Sequence, residues 1–151
     1  MKYDNVRIGL NSRLDTMQAA ILLPKLHAFI DYELTARQRW ASLYSELLSG
    51  KVCTPTLLEG YSSSWAQYTI MLDSAQQRDA LQSKLKELGI PTMVYYWRPL
   101  HLQTAYTHLG CGEGSLPVSE NASSRVLSLP MHPYLDEDTV RVIAQAVIDN
   151  I

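Results

Sequence analysis

Between Asp15 and Gly50 the apolar residues return at three- and four-residue steps, and this stretch restricts the fold more than any other. Leu26, Phe29, Ile30, Leu34, Trp40, Ala41, Tyr44, Leu47 and Leu48 mark one face of a long amphipathic helix. Asp15 can cap its start, with Gln18 three residues on, and Gly50 suits its stop. The first turns, Ala19 to Leu23, are apolar nearly all round and should be buried. Pro24 lacks an amide hydrogen, so the helix is expected to kink or restart there. A helix of this length needs a layer to pack against.

The remaining pattern supplies that layer. Residues 1–14 read as an extended leading segment, and 54–64 as turns. Trp65 to Leu72 reads as a strand with Tyr68, Ile70 and Leu72 on one face. Ser74 caps a helix of about 13 residues whose inner face is Leu81, Leu85 and Leu88, and Gly89 ends it. Thr92 to Trp97 reads as a second strand and Val126 to Leu129 as a short third one. Between them lies an irregular segment with a flexible glycine loop (Gly110, Gly112, Gly114) and a short helix over Val118 to Ser124. Asp136 caps a last helix with Val140, Ile143, Ala144, Val147 and Ile148 inward. The expected architecture is a single α/β domain, α+β-like, with about three strands covered by helices.

Composition excludes several classes. Hydrophobic residues at 46% and charged ones at 19% suit a packed domain and not a disordered chain. A net charge of -2 offers no field for nucleic acid or an anionic membrane. No apolar run reaches the ~18 residues of a membrane span. The first five residues are polar, with no signal peptide, so a cytoplasmic location is the default expectation. Cys53 and Cys111 are far apart and read as two reduced thiols. The four histidines have no metal-ligand spacing beyond a loose His101/His108 pair, and no metal is expected.

Three patches can carry chemistry. In Gly9-Leu10-Asn11-Ser12-Arg13-Leu14-Asp15 an asparagine and an arginine precede a helix start. That arrangement suits an anion, above all a phosphate, and equally an ordinary capped helix. Val94-Tyr95-Tyr96-Trp97-Arg98-Pro99-Leu100-His101 reads either as a polar pocket wall or as an aromatic strand packed in a core. Leu127-Ser128-Leu129-Pro130-Met131-His132-Pro133 reads as a turn held by two prolines.

Taken together the patches resemble one family, the DegT/StrS sugar aminotransferases. The resemblance runs through Gly9-x-Asn11-Ser12-Arg13-Leu14-Asp15-x-x-Gln18-Ala19-Ala20-Ile21-Leu22 and Arg37-x-x-x-Ala41-x-x-Tyr44-x-x-x-Leu48. It continues in Tyr96-x-x-Pro99-Leu100-His101-x-Gln103-x-Ala105-Tyr106 and in Leu127 to Pro133, and it spans the chain from about Tyr3 onward. The branch it is most similar to aminates nucleotide-linked 3-keto sugars.

The resemblance implies a homodimeric, fold-type I enzyme. Its large domain binds pyridoxal phosphate as a Schiff base to a lysine, and a small carboxy-terminal domain follows. Residues 1–151 would be that small domain, with the pattern already under way at Tyr3 and the lysine-bearing domain absent. None of Lys2, Lys25, Lys51, Lys84 and Lys86 has the context of the catalytic lysine. By the same resemblance Asn11 would reach the cofactor phosphate of the neighbouring subunit. Arg13 would face the substrate's phosphate or acidic sugar group. Tyr96 and His101, with Tyr95 and Tyr106, would line the sugar-nucleotide pocket. Tyr95 departs from the family, where a histidine is common, and Pro24 interrupts a helix that usually runs on. The implied partners are a nucleotide-linked keto sugar and an amino-acid donor, in polysaccharide or aminosugar biosynthesis. The chain alone is then expected to be inactive and to form a homo-oligomer through its first helix. The alternative is a stand-alone binding or dimerisation module that keeps the domain without catalysis.

Overall fold

A computed structural model describes residues 4–151, so Lys2 and Tyr3 lie outside the described residues. The long helical stretch is three pieces end to end. Helix α1 spans Thr16–Ala28, a π-helical turn spans Phe29–Glu33, and α2 spans Leu34–Leu48. The Asp15 carboxylate accepts from the Gln18 amide at 2.8 Å, which starts α1 as the capping pattern requires. The helix does not restart at Pro24: α1 is continuous through that residue. The carbonyl deprived of a donor belongs to Ala20, which is exposed, so water can serve it.

The irregularity falls five residues later. In the π turn the Leu34 amide donates to the Phe29 carbonyl, one residue beyond the α-helical partner. The extra residue rotates the helix face and carries Glu33 inward, to 1% exposure. Lys25 Nζ sits 2.5 Å from Glu33 Oε1, and the Tyr134 hydroxyl donates to the same oxygen at 2.6 Å. The Lys25 contact holds the Glu33 carboxyl below its ordinary range, while the Glu33 oxygen pushes the Tyr134 hydroxyl up.

Strand β1 (Tyr68–Met71) pairs antiparallel with β2 (Val126–Leu129), with Tyr68 opposite Leu129 and Ile70 opposite Leu127. β1 is shorter than expected because Trp65 has φ 46, a left-handed backbone that breaks the extended run. Arg37 holds that turn by donating to the Trp65 carbonyl at 3.0 Å. The second expected strand, Thr92 to Trp97, shrinks to one bridge, Met93 with Ser128. Pro91 removes a donor before it, and the chain turns at Tyr95 and Tyr96. Cys53 bridges Met71 on the other edge.

Helix α3 (Ala75–Glu87) is capped by Ser74, whose hydroxyl accepts from Gln77 at 3.1 Å, and α5 (Glu137–Ile148) by Asp136, which accepts from Thr139 at 2.7 Å. Helix α4 is Pro117–Arg125. Helices α2, α3 and α5 supply one core with the inward face of the sheet. Its members include Trp40, Tyr44, Leu48, Tyr68, Ile70, Leu81, Leu85, Leu127, Val140 and Val147. Leu88 does not join them; it is 59% exposed, because α3 ends at Glu87 and Gly89 turns the chain left-handed at φ 75. The first half of α1 has no buried residue at all.

Candidate functional site

The sheet's second face carries Thr69 and Ser128, whose hydroxyls meet at 2.7 Å across the strands. This face looks toward Ser119, Ala122 and Ser123 of α4. It opens on a cavity of about 550 Å³ that Tyr95, Tyr96, Gln67, Thr69, Gln103 and Ser123 help to line. Tyr95 is half-buried, whereas Tyr96 is 69% exposed and presents its ring to the opening. A second groove, of about 820 Å³, lies alongside and shares Pro99 and Ser123 as a common wall. Trp97, Arg98 and His101 form one side of it, and the glycine loop forms the other.

The leading segment fastens this region. The Asn5 amide donates to Gln103 Oε1 at 3.0 Å, and the Ala105 amide donates to the Asn5 carbonyl at 2.7 Å. Gln103 is buried and also donates to the Arg98 carbonyl at 3.2 Å. Asp4 takes the Thr104 amide and hydroxyl and pairs with Arg98 at 3.0 Å. The Thr104 amide is the main reason that the Asp4 carboxyl sits below its ordinary range.

His101 is held by Glu120, with 3.0 Å between Nε2 and Oε1. A carboxylate only accepts, so Nε2 carries the hydrogen and Nδ1 is left to accept from a ligand hydroxyl when the ring is neutral. Glu120 also takes the amides of Gly114 and Leu116. These amides, ahead of His101, hold its carboxyl below the ordinary range.

Of the six residues singled out from sequence, the structure gathers three. Tyr95 and Tyr96 share one cavity and His101 lines the groove beside it. Tyr106 lines neither; its amide donates to the Gln103 carbonyl at 2.9 Å within the 3₁₀ turn Thr104–Leu109. Asn11 and Arg13 lie in the exposed extended segment before α1, away from both cavities. Among the described residues, no side-chain hydrogen bond engages either one. Residues not singled out include Gln67, Asp4 and Glu120. Glu120 had one legible signal, an acid in the first turn of a helix that opens with proline.

A phosphate-bearing aldehyde cofactor needs donors for its phosphate and a lysine for its aldehyde. Asn11 and Arg13 fit the first need as uncommitted donors. The described lysines do not meet the second. Lys25 is paired with Glu33, Lys84 with Glu87, and Lys51 and Lys86 are exposed, with none lining either cavity. Among the described residues no cluster of three metal-ligating side chains occurs, and no helix is long and apolar enough to cross a membrane.

Comparison with known proteins bears on the family and the fold. The UDP-2-acetamido-2-deoxy-3-oxo-D-glucuronate aminotransferase of Pseudomonas aeruginosa is 42% identical over 97% of this chain and 39% of its own length. A crystal structure of a DegT DnrJ EryC1 StrS aminotransferase from Brucella abortus superposes with a TM-score of 0.80. It is 52% identical, over 97% of this chain and 38% of that one. DesV of S. venezuelae, solved in complex with a ketimine intermediate, gives 0.83 at 34% identity, over 99% of this chain and 40% of that one. The chain thus spans about two fifths of the length of the relatives it matches. Residues 1–148 match the DegT/DnrJ/EryC1/StrS aminotransferase family, and the chain belongs to that family.

Proposed function

We propose that the chain is the carboxy-terminal, substrate-side domain of a pyridoxal-phosphate-dependent aminotransferase that aminates a nucleotide-linked keto sugar. The observation that carries this is the pair of adjoining cavities walled by Tyr95, Tyr96 and His101; Asn11 and Arg13, in the exposed segment before α1, add two uncommitted phosphate donors. Relatives that are 42% and 34% identical support the substrate class by what their names say they act on. Pyridoxal phosphate, when bound, supplies the electron-accepting ring that lets an amino group pass from donor to sugar.

The chain's own residues bind and orient. Tyr96 offers an exposed ring for the face of the sugar or base, a stacking contact that needs no exact hydrogen-bond register. His101 offers Nδ1 to a sugar hydroxyl. Arg13 pairs in bidentate fashion with the substrate's phosphate or acidic sugar group, and Asn11 reaches the cofactor phosphate of a neighbouring subunit. Such positioning converts binding into orientation at the reacting carbon, which this domain does not itself attack. These 151 residues by themselves have no transaminase activity in this account, and the complete protein is a cytoplasmic homodimer serving polysaccharide or aminosugar synthesis. A second reading, an assembly module without catalysis, draws on the uncovered apolar face of α1.

The test is an amide-shift titration of the chain with UDP-N-acetylglucosamine at millimolar concentration. Shifts should cluster at residues 95–101 and the two cavity walls. Shifts confined to α5, or none at all, would remove the substrate-side assignment and leave the assembly reading.

A further inference from the structure

We propose that Glu120 is the positioning residue of this site: its carboxylate couples the 110–116 loop to the His101 ring. The functional meaning rests on the reading that His101 faces the substrate; the coupling itself does not.

Gly110, Cys111, Gly112 and Glu113 form one wall of the groove whose opposite wall includes His101. The loop is exposed throughout and bracketed by two left-handed glycines, Gly110 at φ 74 and Gly114 at φ 83. No core side chain anchors it. Its strongest tether to the rest of the fold is Glu120, on α4. One carboxylate oxygen, Oε1, takes His101 Nε2 at 3.0 Å, the Gly114 amide at 3.1 Å and the Leu116 amide at 3.1 Å. The other, Oε2, takes the Gly114 amide at 2.9 Å. The loop amides and the ring therefore compete for and complete one acceptor. Hydrogen bonds to an ionised acceptor are about twice as strong as neutral ones, so both ends are held firmly. Side chains of His101 and Glu120 are 9% and 22% exposed, so water replaces neither contact freely. A loop that swings away takes two donors from the oxygen that orients His101, and a ring that turns away loosens the loop. Glu120 thus sets the width of the groove and the direction of Nδ1 together.

Amide hydrogen exchange and imidazole NMR on the whole chain at neutral pH test this without any ligand. A failure of the nucleotide-sugar titration would therefore leave it standing. In Glu120→Ala, exchange at Gly114 and Leu116 should rise about tenfold or more, as local opening becomes free of its tether. The His101 Nε2–H signal should be lost to solvent exchange, while the Ile70 and Leu127 amides keep their protection. Glu120→Gln keeps a neutral acceptor and should fall between wild type and Ala. Coupling is reciprocal, so His101→Ala should raise Gly114 exchange by about threefold or more. Loosening of the loop with the His101 Nε2–H signal intact would overturn the proposal. So would a His101→Ala variant with unchanged Gly114 exchange, a measurement that stands even where Glu120→Ala fails to fold.

Discussion

Tyr44→Ala is expected to cost about 3–5 kcal/mol, the range for deleting a large buried ring and a large share of an ordinary domain's stability. Tyr44 is fully buried at the point where α2 crosses the sheet. Its ring stacks on Tyr68 with 5.0 Å between centroids and 29° between planes. Its hydroxyl donates to the Pro130 carbonyl at 3.1 Å, which ties α2 to the turn after β2. Burial pushes that hydroxyl's pKa up, so it remains a donor throughout the accessible pH range. Tyr44→Phe separates the two contributions. It keeps the ring and removes one hydrogen bond, so about 1 kcal/mol should be lost, with somewhat more if the carbonyl stays dry. Denaturant titration followed by circular dichroism measures both. Equal losses for Phe and Ala would show that the hydroxyl, and not the packed ring, holds this junction.

The second large effect concerns association. Met17, Ile21, Leu22, Leu23 and Leu26 are exposed on α1 and Leu14 just before it, and an apolar groove of about 530 Å³ lies between Leu22, Leu23, Leu26 and Phe29. Uncovered apolar surface of this extent ordinarily finds a partner. The chain is therefore expected to form a homodimer or larger oligomer through α1, with the same patch facing itself across a two-fold axis. A fold-back at Pro24 would have hidden the patch, but the helix is continuous through that residue. Ile21 is 73% exposed, so an aspartate there is tolerated in the monomer and costly only where a partner removes water. Ile21→Asp should weaken association by about 100-fold, equal to about 2.7 kcal/mol. Sedimentation at several concentrations reads this out. A wild-type monomer at high micromolar concentration, or an aspartate variant that stays associated, would contradict it.

Much of this was legible in the sequence, and the exceptions have physical causes. The caps at Asp15, Ser74 and Asp136 and the strand Val126–Leu129 follow local rules, and the structure places all of them as expected. The core face of α5 follows its period, apart from Ala146, which is also buried. Local pattern failed where the neighbourhood decides. The π turn at Phe29–Glu33 answers to tertiary packing that brings Tyr134 against Glu33, 101 residues away. The left-handed Trp65 depends on Arg37, and the loss of the Thr92–Trp97 strand on a turn at the two tyrosines. The site divides in the same way. Tyr95, Tyr96 and His101 stand in one short motif, and they line the two adjoining cavities. Glu120 and Asp4 reach the same region from α4 and from the leading segment, and no motif announces either one. Tyr106 stands in the same motif, and its amide donates to the Gln103 carbonyl in the 3₁₀ turn.

The central claim is that this chain carries the substrate-side contacts of an aminotransferase and not the lysine that holds the cofactor. Covalent trapping tests it most directly. The chain is mixed with pyridoxal phosphate, reduced with borohydride, and examined by intact mass and peptide mapping. The account predicts at most scattered, substoichiometric labelling of Lys2, Lys25, Lys51, Lys84 and Lys86: Lys25 and Lys84 are ion-paired, Lys51 and Lys86 are exposed, and none of these four lines either cavity. One stoichiometric adduct on a single lysine would contradict it.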